Sequence, residues 1–546
     1  MFHCNFAAVL ALCALAFSAT TAAQVVETTV PGDPVRIESG LVAGKLLPSG
    51  VKAYLGVPFA APPVRDLRWR EPQAAITWKG VYHADRKSPE CIQVLRRKNL
   101  NHYFGEESTN EDCLYLNVWT AGSAKPGSNL PVIVFIYGGG YSIGSSGSAL
   151  YDGEKVARRG AVFVNFNYRL GILGNMAHPE LTAESSHNSS GNYGFLDQVS
   201  ALKWVQRNIA RFGGDPRNVT ISGQSAGASS VSAHTASPLS KGLFHRAFAM
   251  SGTFLDPGRP MIGRMEAEKI GLEVQAASGS ATLAEMRSLP ADKLLGLQKD
   301  CQLGCAGTIS VPVIVDGHFL PDSVPNIYSA GKQNDIPIVD GFTRDESSNA
   351  LRTAASLEEY RATAKKLFGD KSERFLQLYP ATTDAEAKAM GRTAAREGLI
   401  ELGAHSWAAA QSRTGKSPFY MYMFSRVHPF TPGVKFYDNP AAIGAYHTSD
   451  LPYFFDTLDA FNIFRPTRDW TAGDRELSER MMDALLAFAR TGNPATRSTP
   501  WPRWTPEQPQ LLEFGDDTHV IAESRERMSF HTPDTLTSAT PRLSRD

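Results

Sequence analysis

Net charge is missing from this 546-residue chain: Lys plus Arg and Asp plus Glu each number 55. Without a bulk field there is nothing to gather nucleic acid or an anionic membrane, so the expected ligand is a small, largely neutral molecule. Also absent are low-complexity linkers, long charge runs and internal repeats. Length alone suggests roughly three or four domains. With no break to separate them, residues 24–546 read better as a single domain with long insertions. No apolar run reaches the ~20 residues of a membrane helix, which predicts no stable membrane insertion.

The nearest approach to such a run is residues 6–17, followed by small residues up to Ala22-Ala23. This reads as a signal peptide, residues 1–23, cleaved after Ala23, and predicts a secreted or periplasmic protein. It is off-pattern in one respect, carrying only His3 and no Lys or Arg before its apolar core. Leu12 before Cys13 argues against a lipoprotein signal.

Cysteine is scarce. Of six, the leader holds Cys4 and Cys13, leaving Cys91, Cys113, Cys301 and Cys305. An even number in an exported chain suggests two disulfides, with three pairings open. The local pairing joins Cys91 to Cys113 and Cys301 to Cys305, and a loop of the first size contributes about 3 kcal/mol through the unfolded state. As zinc ligands, Cys301-x-x-x-Cys305 supplies half a site, and no second close pair completes it. No metal and no organic cofactor are expected.

Among the residues present, Gly223-Gln224-Ser225-Ala226-Gly227 is the most informative string. It follows the apolar run Val219-Thr220-Ile221 and opens a stretch of small residues suited to a closely packed helix. Strand, sharp turn and helix set a serine hydroxyl clear of a sheet, and only glycine-sized residues fit on either side. Ser225 is therefore the candidate nucleophile. A second match, Gly140-Tyr141-Ser142-Ile143-Gly144, also follows an apolar run but leads into Ser145-Ser146-Gly147-Ser148, a loop composition with no helix to receive the turn.

Runs rich in Val, Ile and Phe at 132–136, 162–166, 219–221, 247–250, 336–339 and 419–424 predict buried, mostly parallel strands. Between two of them, Phe195, Val199, Leu202, Val205, Ile209 and Phe212 form one helical stripe, stopped by Gly213-Gly214-Asp215-Pro216. Alternating strands and helices predict a doubly wound α/β fold that binds ligands at the carboxyl ends of its strands. Ser225 sits at such an end.

A serine needs an imidazole to take its proton and a carboxylate to orient that imidazole. In α/β-hydrolases these follow in the order Ser, acid, His. The predicted strand at 336–339 runs into Thr343-Arg344-Asp345-Glu346-Ser347, where Glu346 is the choice, though spacing does not separate it from Asp345. Asp340 lies inside the strand pattern and is weaker. Of eight histidines after Ser225, His447 stands out. Its small-residue loop, Gly444-Ala445-Tyr446-His447, leads into the apolar Leu451-Pro452-Tyr453-Phe454-Phe455 and can present a ring at the sheet edge. Gly138-Gly139-Gly140 offers backbone N–H groups for a tetrahedral oxyanion, with Gly139, Gly140 and Ala226 as a three-donor hole.

These features resemble the type-B carboxylesterases, the carboxylesterase/lipase family that includes the cholinesterases. The most specific matches are Glu111-Asp112-Cys113-Leu114-Tyr115-Leu116-Asn117, the glycine triplet, and Phe212-Gly213-Gly214-Asp215-Pro216 leading to Ser225. The resemblance spans nearly all of the mature chain. It implies an α/β-hydrolase fold, a Ser225–Glu346–His447 triad, oxyanion donors at Gly139, Gly140 and Ala226, and a Cys91–Cys113 disulfide. It also selects Glu346 over Asp345. Cholinesterases carry an acid before the nucleophile and a tryptophan in the first disulfide loop; here Gln224 stands at the first place, and residues 92–112 hold no Trp but do hold Arg96, Arg97 and Lys98. Choline esters are thereby disfavoured. Those three cations, with Arg344, raise an anionic ester as an option.

The expected function is secreted hydrolysis of small organic carboxylic esters through an acyl-enzyme. A non-catalytic binding domain on the same fold, or a thioesterase or amidase using the same triad, are the alternatives. The insertions near 253–330 and 350–440 are expected to cover the pocket.

Overall fold

The computed structural model describes residues 29–93, 108–258, 260–299, 307–347, 349–436 and 439–532. The expected leader, Arg96, Arg97, Lys98, Cys301 and Cys305 lie outside them. Among the described residues no helix is long and apolar enough to cross a membrane.

Eleven strands make the central sheet: β1 (Lys45–Leu46), β2 (Lys52–Pro58), β3 (Tyr115–Thr120), β4 (Leu130–Ile136), β5 (Val162–Phe166), β6 (Gly214–Gln224), β7 (Arg246–Met250), β8 (Ile338–Thr343), β9 (Phe419–Phe424), β10 (Gln510–Phe514) and β11 (Thr518–Ala522). They lie in the order β11-β10-β9-β8-β7-β6-β4-β5-β3-β2-β1. The span from β5 to β10 is parallel throughout, and both flanks are antiparallel. β5, β8 and β9 are buried along their whole length. A strand covered on both faces has no polar side to alternate with, which is why it reads as a continuous apolar run. This is an α/β-hydrolase fold, a large, mostly parallel sheet wrapped by helices.

Helix α1 (Tyr193–Asn208) continues as a 3₁₀ turn through Phe212 and ends on Gly213 at φ 89°, a left-handed stop that suits glycine. Its stripe residues Phe195, Val199, Leu202, Val205, Ile209 and Phe212 are all buried. β6 then makes two pairing stretches with β4 separated by a register break between Gly214 and Val219, and its second stretch runs straight to Ser225. Helix α2 (Ala226–Ala236) packs against β6 and β7, and α3 (Ala472–Thr491), opened by a Thr471/Asp474 capping box, packs against β6 and β4. The innermost strands are thus held in place by helices, and their carboxyl ends carry the candidate site.

Cys91 and Cys113 form a disulfide across 22 residues of sequence, both buried. It ties the segment around Glu90–Cys91 to the start of β3.

Candidate active site

Ser225 occupies the turn between β6 and α2 at φ 58° and ψ −124°, angles that cost energy for any residue with a side chain. The neighbouring strand holds it there, as the Ser225 N–H donates to the Met250 carbonyl at 2.8 Å. A Cβ on Gly223 would run into the backbone of Gly227, and one on Gly227 into the carbonyls of Ile136 and Tyr137. Backbone cannot yield as a flexible side chain can, so both flanking positions demand glycine. The turn is this tight because α2 lies directly on β4 and β6.

The structure brings His447 and Glu346 to that hydroxyl from 222 and 121 residues away in sequence. His447 Nε2 lies 2.9 Å from Ser225 Oγ, and His447 Nδ1 is hydrogen-bonded to Glu346 Oε2. A carboxylate at Nδ1 fixes the proton there and leaves Nε2 as the acceptor facing the serine. Glu346 Oε1 accepts the Thr343 N–H at 2.8 Å, so both its oxygens are engaged. Its side chain is 3% exposed, whereas that of His447 is 42% exposed and open to an incoming molecule.

Asp345, the neighbour that spacing could not set aside, is used differently. Its carboxylate accepts the Ala445 N–H at 2.9 Å, its own N–H donates to the Ala445 carbonyl at 2.9 Å, and Arg344 pairs with it at 3.1 Å. One carboxylate therefore touches the imidazole while the next splints the loop that carries it. Asp340 sits within β8, buried, where loss of hydration and the charge of Glu346 push its carboxyl well above the usual range. Asp450, three residues past His447, accepts the Tyr422 O–H at 2.6 Å and is pushed up to about 6, chiefly by burial.

Gln224 has a role that sequence reading missed. Its Nε2 lies 3.3 Å from His447 Nε2, so an amide competes with the serine hydroxyl for the same lone pair. Only the fold shows this, because the contact depends on a loop 223 residues away.

The amides of Gly139, Gly140 and Ala226 donate no hydrogen bond within the described residues, and Gly140 and Ala226 line the cavity in front of Ser225. Gly139 and Gly140 have φ of 114° and 61°, the left-handed side of conformational space that glycine tolerates. Unpaired N–H groups beside a nucleophilic oxygen can stabilise negative charge that develops there. The cavity measures about 580 Å³ and is walled by Thr253, Phe254, Asp256 and Met261, by Pro312 and Val313, and by Leu399, Ile400 and Gly403. Both long insertions thus contribute. Among its described lining residues Asp256 and Glu346 carry charge and no Lys or Arg does; Arg344, expected to favour anionic esters, is paired with Asp345.

Ser142, the rival serine, has no imidazole beside it among the described residues. Its Oγ donates to the Gly140 carbonyl and accepts from Gln298 Nε2, each at 3.3 Å.

Comparison with known proteins agrees with this architecture. The Carboxylesterase family model matches residues 32–532. Fumonisin B1 esterase of Sphingopyxis macrogoltabida is 36% identical over 491 residues, covering 88% of this chain and 85% of that protein. Para-nitrobenzyl esterase of Bacillus subtilis (strain 168) is 32% identical over 497 residues, covering 87% and 93%. A solved PNB esterase superposes with a TM-score of 0.74 at 28% identity, covering 91% of this chain and 99% of that one. With a family match across nearly its whole length and esterases among its relatives, this chain belongs to the carboxylesterase family and is a carboxylic ester hydrolase.

Proposed function

We propose that the protein is a secreted or periplasmic serine esterase that cleaves small organic esters through an acyl-enzyme, with Ser225 as nucleophile, His447 as base and acid, and Glu346 as the group that orients His447. The observation that carries this reading is the unbroken hydrogen-bond path from Ser225 Oγ through the His447 ring to Glu346. His447 Nε2 takes the hydroxyl proton as Ser225 Oγ attacks the ester carbonyl. The oxyanion so formed lies toward the amides of Gly139, Gly140 and Ala226, each donor of this kind contributing about 2.7–4 kcal/mol to the transition state. The imidazolium returns its proton to the leaving alcohol, and the acyl group stays on Ser225. Water then loses a proton to His447, attacks the acyl carbonyl, and releases the acid with Ser225 restored.

The relatives' names attach them to chemically diverse esters, so the reading commits to a reaction and to small organic esters as a class. Residues 24–546 form one catalytic unit, and residues 1–23 are a leader removed on export. The Cys91–Cys113 bond suits an oxidising compartment. Ser225→Ala is expected to abolish p-nitrophenyl acetate hydrolysis with the fold intact by circular dichroism, and stopped-flow is expected to show a burst of about one p-nitrophenol per chain. Undiminished turnover in that variant, or loss only in Ser142→Ala, overturns the assignment.

A further inference from the structure

We propose a second, non-catalytic site: Glu71, His187 and His318 form a divalent transition-metal site, with zinc as the best-matched ion, on a face of the molecule that the ester chemistry does not use. One donor atom from each of the three lies within 4.8 Å of the others. His187 Nε2 and Glu71 Oε1 are already 3.6 Å apart. A tetrahedral ion with ~2.0–2.2 Å bonds spaces its donors by about 3.4 Å, so the set needs roughly an ångström of closure. Two imidazoles and one carboxylate suit zinc or its neighbours, and are a poor match for calcium or magnesium, which prefer all-oxygen shells.

The rings of His187 and His318 are stacked, centroids 3.8 Å apart and planes 12° from parallel. Their in-plane lone pairs therefore run side by side, and one ring must turn for both to converge on an ion. His187 is the ring free to do so, its side chain being 44% exposed. The backbone that carries His318 is held, because the Asp316 carboxylate accepts the backbone N–H groups of His318, Phe319 and Leu320 at 3.3, 3.2 and 2.8 Å.

The backbone under these side chains is fixed by bonds that run between the contributing segments. Ser189 Oγ donates to the Asp316 carbonyl at 3.0 Å. Asn192, buried at φ 54°, donates to the Ile314 carbonyl at 2.8 Å and accepts the Ile314 N–H at 3.2 Å. Trp69 anchors the Glu71 segment through its indole N–H to the Ile172 carbonyl at 2.9 Å. Glu71 and His318 border a surface cavity of about 180 Å³, which leaves room for a water as fourth ligand. Pro312 and Val313, a few residues upstream of His318, belong to the wall of the cavity in front of Ser225.

The test is isothermal titration of the tag-free mature chain with Zn²⁺, alongside His187→Ala at an exposed position and Glu71→Gln at a half-buried one, neither of them in the core. One zinc per chain is expected, with affinity falling at least tenfold in each variant. His318→Gln, with the fold checked by circular dichroism, is expected to do the same. No stoichiometric uptake by the wild-type chain, or uptake of equal affinity by His187→Ala and Glu71→Gln, overturns the proposal.

Discussion

Gly140-Tyr141-Ser142-Ile143-Gly144 and Gly223-Gln224-Ser225-Ala226-Gly227 have the same spacing and follow adjacent strands of one sheet, β4 and β6. Both need their glycines. Gly144 has φ 129°, and a Cβ there would strike the Tyr137 ring and the Gly138 carbonyl, just as one on Gly227 would strike Ile136. Steric demand for glycine therefore does not tell the two apart. What differs is the continuation of the chain: α2 follows Ser225 and holds its hydroxyl at the sheet end, whereas after Ser142 the chain stays irregular and the serine bonds to its own loop. The motif carries meaning through the helix behind it.

The largest effect that can break this comparison is the pair Ser225→Ala and Ser142→Ala. The first is expected to lower kcat for p-nitrophenyl acetate by about 10⁴–10⁶-fold and the second by less than about 3-fold. Comparable losses would make the two turns equivalent. Next comes the carboxylate pair: Glu346→Gln is expected to cost about 10²–10⁴ in kcat, since it removes the group that sets the His447 tautomer. Asp345→Asn is expected to act through stability, at about 1–3 kcal/mol by denaturant titration, because it loosens the Ala445 splint.

Gly227→Ala is expected to destabilise the fold by about 3 kcal/mol or more, read from urea midpoints, because Ile136 and Tyr137 present backbone that has nowhere to go. A smaller effect tests the helix that only Ser225 possesses. His234 on α2 is fully buried between Gln198 and Ser240, and burial pushes its ring down to about 3. The unfolded chain then binds a proton between pH 6.5 and about 3 that the folded chain refuses, so stability falls as pH drops through that window. From pH 7 to pH 5 this amounts to about 2 kcal/mol, and His234→Gln is expected to remove that share of the slope. Smallest is Gln224→Glu: a carboxylate beside His447 favours the imidazolium, so the acid limb of the kcat/KM profile is expected to move to higher pH by about one unit. An unmoved limb would mean the 3.3 Å contact has no electrostatic weight.

The parts legible in the sequence were those whose cause is local. Buried parallel strands and the α1 stripe could be read because burial on two faces, or on one helical face, writes itself into consecutive residues. The flanks were harder. β2 carries Gly56 at φ 71° within a register break between Tyr54 and Val57, and β11 is an edge strand with no buried residue, so neither shows a clean pattern. Glu346 could not be told from Asp345 because adjacent residues leaving a strand face different partners, and those partners arrive with the 444–447 loop about 100 residues later. The Gln224 contact, and the meeting of Glu71 with His187 and His318, depend on the same kind of long-range closure. Nothing in their own neighbourhoods announces them.

The residues that wall the cavity in front of Ser225 come largely from excursions of the chain at 253–261, 312–313 and 399–403, while the proposed reacting groups come from the ends of β6 and β8 and from the 444–447 loop. On the proposed mechanism, selectivity and reactivity are carried on largely separate stretches of polypeptide. A graft that exchanges those excursions for another esterase's would recast which esters are admitted while leaving the bond-breaking apparatus untouched, and natural divergence has the same freedom.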